Sequence, residues 1–258
     1  MKRRCAVVLC AFLWPLAALA ADVHVMISAG FFHVYSQLGP AFEKETGHHL
    51  VTVRGPSLGD SPEAIPARLG RGEAADVAIL DGASADELAR RGLLDPDTKT
   101  VLALSQIGMV VKEGAPKPDI STVEALRKAL LAAKSIAYSD SGSGTYIRTK
   151  MLANMGIADQ VAGKARAIRG PPSGEPVAAV VARGEAEIGF QQVSELIHVP
   201  GVTFVGAIPA QLQPGFTFAG VLARNAREPE AAKALLRFLS SERAAPVVTE
   251  AGLAPPAH

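Results

Sequence analysis

The chain has 258 residues with 26 basic and 25 acidic side chains, a formal charge of +1, and its cysteines and tryptophan (Cys5, Cys10, Trp14) all lie near the start. Beyond Trp14 there is neither thiol nor indole, which excludes disulfides, cysteine nucleophiles and thiolate metal sites from the rest of the chain. A charge this close to zero implies no polyanion-binding face and no nucleic-acid partner.

The first element is a leader. Lys2, Arg3 and Arg4 precede an apolar run from Cys5 to Leu19 that ends in Ala18-Leu19-Ala20, the pattern of a cleaved N-terminal signal peptide over residues 1–20. The run is shorter than the roughly 20 apolar residues of a membrane-spanning helix, so no membrane insertion is expected. Leu9 is too bulky before Cys10 for a lipoprotein site. Without the leader, 23 basic residues face 25 acidic ones, and the exported chain carries a charge of −2.

From Ala21 onward, β-rich runs alternate with helical runs, which predicts an α/β fold with mostly parallel sheets. The predicted strands are 23–27, 50–54, 76–80, 107–112, 135–138, 187–190, 202–205 and 216–223. The predicted helices are 35–46, 63–71, 84–91, 122–134, 146–155, 175–183 and 229–239. Ser121 with Glu124 has capping-box spacing, and Gly47, Gly72, Gly92, Gly156 and Gly184 follow helical runs where a left-handed residue is wanted. One internal echo is present: Glu63 is followed by Arg71-Gly72-Glu73-Ala74, and Glu175, at the same interval, by Arg183-Gly184-Glu185-Ala186. Two lobes built alike would produce it, and so would the ordinary grammar of helix, glycine stop and strand.

In an open parallel sheet, ligands collect where strand ends lead into helix N-termini. Four loops hold those positions: Ser28 to His33 with Gly30 and Phe31, Arg54 to Asp60 with Ser57, Ser139 to Tyr146, and Gln191 to Ser194. In the third, Ser141, Ser143, Gly144, Thr145 and Tyr146 combine close backbone approach with hydroxyl donors, which suits an anion. Read blandly, the same run is turn chemistry with Ser143 or Thr145 as an N-cap. Arg54 closes a strand before a Gly-Pro turn, where a guanidinium can clamp a carboxylate through two parallel bonds. Gln191 and Gln192 supply neutral donors and acceptors, while Asp76 and Asp81, flanking a strand, read as caps. The six histidines lack metal-ligand spacing, no Walker loop or dinucleotide fingerprint is present, and no Gly-x-Ser-x-Gly elbow marks a serine hydrolase. Neither a metal nor a cofactor is expected.

Phe42-Glu43-Lys44-Glu45-Thr46-Gly47, Gly72-Glu73-Ala74-Ala75-Asp76-Val77, Ser135 to Ile147 and Ala182 to Phe190 together resemble the periplasmic molybdate-binding protein family over nearly the whole exported chain. The resemblance implies a two-lobed periplasmic binding-protein fold, each lobe a mostly parallel sheet flanked by helices. It also implies two crossover strands, Ile107–Lys112 and Phe216–Ala223, with residues 21–106 plus 222–258 as lobe 1, residues 107–221 as lobe 2, and the ligand between them. Molybdate proteins hold their oxyanion with neutral hydroxyls and N–H groups, including serines in the first two loops and a tyrosine in the fourth. Here Gly30-Phe31, Arg54 with Pro56, and Gln191-Gln192 hold those places, which fits a carboxylate better. The sequence is similar in this respect to a divergent subgroup related to periplasmic aconitate isomerases. Two readings follow, fold-level similarity carrying the first. One is a monomeric solute-binding protein that takes a di- or tricarboxylate, with an ABC transporter permease as partner. The other is an aconitate isomerase running a cofactor-free 1,3 proton shift, with Arg54, Tyr146 and His33 as the catalytic candidates.

Overall fold

Val23, Val25 and Ile27 turn one face of a strand into an apolar core while Met26 packs into a second core on the opposite face. Burial on both faces is the signature of a central parallel strand. The computed structural model describes residues 20–59 and 61–256, so the leader lies, except for Ala20, outside the described residues. No helix among the described residues is long and apolar enough to cross a membrane.

In chain order the first half runs β1 Asp22–Ile27, α1 Ala29–Thr46, β2 His49–Arg54, α2 Ile65–Gly70, β3 Val77–Asp81, α3 Gly82–Arg90, β4 Thr100–Ser105, β5 Ile107–Lys112 and α4 Val123–Ala132. There follow β6 Ile136–Ser139 and α5 Gly142–Tyr146, which continues through a π-turn at Ile147–Met151 into α6 Leu152–Asn154. The remainder is α7 Ala158–Val161, β7 Ala165–Ile168, α8 Val177–Ala182, β8 Ile188–Gln192, β9 Val202–Ala207, β10 Phe216–Leu222, α9 Pro229–Leu239 and α10 Ala245–Glu250.

The strands form two five-stranded sheets, ordered β2-β1-β3-β10-β4 and β7-β6-β8-β5-β9. In the first, β1 runs parallel to β2 and β3, and β10 runs antiparallel to β3 and β4. In the second, β6 runs parallel to β7 and β8, and β5 runs antiparallel to β8 and β9. Both lobes therefore follow one plan, with a single reversed strand in an otherwise parallel sheet. Helices cover both faces of each sheet around four apolar clusters.

The chain first changes lobe at Gln106, between β4 and β5. It returns between β9 and β10. Because β10 pairs with β3 and β4, Phe216–Leu222 belongs to the first sheet, and the return precedes Phe216 rather than falling at residue 222.

Three local expectations are corrected. α1 starts at Ala29, directly after β1, so Gly30, Phe31 and His33 are helical rather than in a loop. The cap of α4 is Thr122, whose hydroxyl accepts the Ala125 N–H at 3.0 Å, whereas the Ser121 N–H donates to Asp119. The helix after β6 begins at Gly142 instead of Tyr146, with Ser141 at its N-cap position.

Candidate functional site

The carboxyl ends of β1, β2, β6 and β8 meet across the boundary between the lobes. Between them lies a cavity of about 30 Å3, walled by Ser28 and Gly30 after β1, Gly55 and Ser57 after β2, Ser139 to Ser141 after β6, and Gln191, Gln192 and Glu195 from β8 onward. Two helix N-termini, of α1 and α5, reach this wall and direct N–H groups and partial positive charge toward it.

Ser28 has the extended backbone of an N-cap, φ −86° and ψ 159°, yet its hydroxyl bonds no helix N–H and is buried without a partner among the described residues. A buried hydroxyl left unbonded costs stability unless something else uses it. Ser57 Oγ accepts the Asp81 N–H at 3.0 Å and keeps its own proton to donate. Ser139 Oγ lies 3.0 Å from Ser143 Oγ and accepts the Gly144 N–H at 3.3 Å. Close packing in and behind this wall requires glycine. A Cβ on Gly144 would lie 1.6 Å from the Ser139 carbonyl oxygen, and one on Gly30 would lie 2.1 Å from Phe218 Cζ.

The lobes touch around the cavity. Ser194 Oγ donates to the Gly30 carbonyl at 2.8 Å, and Ser105 Oγ, at the end of β4, donates to Gln192 Oε1 at 2.6 Å. Arg169 Nη2 approaches Glu63 Oε2 at 3.8 Å from the opposite lobe. His33 on α1 stacks on His198 with ring centroids 4.1 Å apart, away from the cavity. Desolvation, then the neighbouring His33, hold the His198 imidazole below its ordinary pKa.

The electrostatics centre on Arg54 and Glu195. The Arg54 guanidinium carbon sits 4.0 Å above the Phe32 ring centroid, a cation–π contact, and its Nε is buried without a hydrogen-bond partner among the described residues. Burial lowers its pKa and Glu195 opposes that. The Glu195 carboxyl is pushed up to about 7, first by burial and also by Asp140, while a hydrogen bond from Gln191 and the charge of Arg54 pull the other way.

The structure brings Ser28, Gly30, Ser57, Ser141, Gln191 and Gln192 to one cavity and places the other sequence-derived candidates elsewhere. Phe31 is fully buried in the core of the first lobe. Ser143 and Gly144 pack behind the wall, against Ser139. The Thr145 N–H is already bonded to the Ser141 carbonyl, so Thr145 does not supply the free helix terminus. Thr145 and Tyr146 line a second cavity of about 520 Å3, which shares Ser57 with the first and also touches Asp81, Lys150 and Phe216. The Tyr146 hydroxyl donates to the Leu212 carbonyl at 2.8 Å, and burial raises its pKa, so it is poorly suited to accept a proton. Arg54 lies over Phe32 beside the cavity rather than in its wall.

Sequence reasoning missed Ser139, Asp140 and above all Glu195. Glu195 falls one residue past the marked loop Gln191 to Ser194, and no signal in the sequence singles it out. Asp81 does cap α3, since its Oδ1 accepts the Ala83 and Ser84 N–H groups at 3.1 Å each. Its Oδ2 is buried without a partner among the described residues, and burial raises its pKa.

The sequence matches the bacterial extracellular solute-binding protein family over residues 23–254. The chain belongs to that family. As a member it is an exported, periplasmic protein with the bilobed binding-protein fold and a cleft that serves solute binding. It is 44% identical over 231 residues to an aconitate isomerase of a Pseudomonas species, covering 90% of this chain and 87% of that one. It is 25% identical over 253 residues to a molybdate-binding protein of Azotobacter vinelandii, covering 96% of each. It also superposes on the solved periplasmic molybdate-binding protein of Azotobacter vinelandii with a TM-score of 0.70 at 20% identity, over 91% of this chain and 100% of that one.

Proposed function

We propose that the protein is an aconitate isomerase, interconverting trans- and cis-aconitate by a cofactor-free 1,3 proton shift in the interlobe cleft. The observation that carries this reading is the 44% identity to an aconitate isomerase across 90% of the chain. The site chemistry agrees with it. Removing a proton from the methylene carbon of aconitate spreads negative charge onto the carboxylates, and that charge needs fixed donors. The wall supplies the Ser28, Ser57 and Ser141 hydroxyls and the N-termini of α1 and α5, and Arg54 stands beside it with a free Nε. A guanidinium and amide groups fit planar carboxylates better than a tetrahedral oxyanion, which favours a tricarboxylate over molybdate.

A cavity of about 30 Å3 has room on the scale of a water molecule, so a tricarboxylate enters only when the lobes part. Closure over the substrate then excludes water and strengthens each contact. The family match favours a second reading, a solute-binding protein that hands a carboxylate to an ABC transporter. Purified leader-free protein is incubated with saturating trans-aconitate and the formation of cis-aconitate followed. Turnover is expected, and binding without turnover leaves the transport reading. Calorimetry with molybdate, citrate and trans-aconitate checks ligand class, and tight binding of molybdate alone would remove the carboxylate argument.

A further inference from the structure

We infer that Glu195 is the group that moves the proton, taking it from one allylic carbon of the bound tricarboxylate and returning it to the other; this rests on the isomerase reading above. Glu195 ends the 3-10 turn Val193–Glu195 that follows β8, and it lines the interlobe cavity. Its Oε2 accepts a hydrogen bond from Gln191 Nε2 at 2.6 Å, the only bond on this carboxylate among the described residues. Gln191 is itself locked, because its Oε1 accepts the Val177 N–H at the head of α8, at 3.1 Å. Turning the amide over would forfeit that bond. The carboxylate is thereby held by one oxygen while the other carries no bond, the arrangement a proton carrier needs. The same turn is tied across the cleft by Ser194 Oγ on the Gly30 carbonyl, so closing the lobes sets Glu195 against whatever the α1 N-terminus holds.

Charge gives a second, independent argument. A cleft that only captured an anion would gain nothing from an ionised carboxylate in its wall, which repels the ligand. A proton-transfer site requires such a group. Asp140 is the other acid in the wall, its Oδ1 accepting the Gly170 N–H at 3.1 Å, and the variants below separate the two acids. The groups facing Glu195 are Arg54 from the end of β2, Asp140 after β6 and Gln191 on β8, and their combined effect with burial is a carboxyl that titrates near 7. A base with a pKa near the working pH is the most effective one.

The step balances without a cofactor. Ionised Glu195 removes a proton from the methylene carbon. The C–H electron pair becomes the new double bond to the central carbon, and the old double-bond pair passes to the far carbon and its carboxylate. The protonated Glu195 then delivers the same proton to that far carbon, forming the new C–H bond and restoring its own charge.

The test compares wild type, Glu195→Gln and Asp140→Asn as leader-free proteins, each checked for an unchanged circular-dichroism spectrum and cooperative melting. For Glu195→Gln, kcat on trans-aconitate should fall by about 100-fold or more, the range of general acid–base catalysis. Its calorimetric Kd for trans-aconitate should be no weaker than about threefold above the wild-type KM, since losing the like charge only eases binding, and this separates chemistry from binding. The acid limb of the wild-type kcat/KM profile, near pH 7, should be absent from the residual activity of the variant. Wild-type turnover with Glu195→Gln retaining its kcat overturns the assignment while leaving the isomerase reading intact, and so does a larger loss in Asp140→Asn than in Glu195→Gln. No turnover by the wild type overturns both.

Discussion

Arg54 and Glu195 come from different lobes, one closing β2 and the other following β8, and each shifts the titration of the other. Arg54 was legible because an arginine at a strand end before Gly-Pro is conspicuous. Glu195 was not, because nothing in Val193-Ser194-Glu195 distinguishes a wall residue from a solvated turn. Arg54→Ala should weaken binding of trans-aconitate by about 2–5 kcal/mol, the cost of truncating one partner of a buried charge-assisted contact. Calorimetry reads this directly, and an unchanged affinity would put Arg54 outside the ligand's reach. Glu195 also makes a stability prediction. Its folded pKa of about 7 lies above the ordinary 4.5, so the native state holds this proton more tightly than the unfolded chain. The resulting stabilisation is full below about pH 4.5 and is lost as pH rises through about 7. Urea melts at about pH 5 and about pH 8 should show wild type losing stability over that interval and Glu195→Gln losing less, because the variant has no carboxyl to titrate there.

At the scale of elements, α5 shows how a sequence motif can be right in type and shifted in place. The sequence predicts a Ser/Gly loop leading into a helix at Tyr146, but the run itself is the first turn, beginning at Gly142. Small residues there let the turn pack directly on β6, which is why Gly144 meets the Ser139 carbonyl. Gly144→Ala should destabilise the protein by about 1–3 kcal/mol, the usual cost of overpacking. Gly163→Ala, where a Cβ meets nothing within 4 Å and φ is not positive, should stay within about 0.5 kcal/mol in the same melts. Gln191 couples α8 to the site through Val177, and its bond to Glu195 favours the charged carboxylate. Gln191→Leu should therefore move the acid limb of the kcat/KM profile to higher pH. β4 and β7 escaped the sequence reading for separate reasons. β4 leaves Val101 and Leu104 exposed, at 36% and 43%, which blurs its alternation, and β7 is a four-residue edge strand, Ala165–Ile168.

For the whole molecule, the internal echo finds its meaning in topology. Arg71-Gly72-Glu73-Ala74 follows α2 and leads into β3, and Arg183-Gly184-Glu185-Ala186 follows α8 and leads into β8, equivalent positions in two sheets of the same plan. Gly72 and Gly184 take φ of +75° and +76°, the left-handed stop that each helix needs. Closure of the lobes over a ligand should appear as stabilisation. Trans-aconitate at about 100 times its Kd should raise the unfolding free energy by about 2.7 kcal/mol, since only the folded cleft binds it. A melting temperature that does not respond would mean that the cleft does not take this ligand.

Periodicity determined the α/β class and the order of most strands and helices, because these depend on burial patterns that repeat along the sequence, while the leader pattern pointed to export and the resemblance of stretches such as Gly72 to Val77 pointed to the family. Ser28, Ser57, Ser141 and the Gln191-Gln192 pair were also visible from sequence, since strand ends followed by small residues mark where a parallel sheet presents its donors. Only the tertiary structure decided which of the candidates share a cavity. The cavity lies between two sheets whose facing loops are separated by scores of residues, and a contact such as that of Ser194 with Gly30, 164 positions apart, leaves no local trace. Glu195 is the sharpest case. Its pKa is raised by burial and by Asp140 against the opposing pull of Gln191 and Arg54, an environment assembled from both lobes.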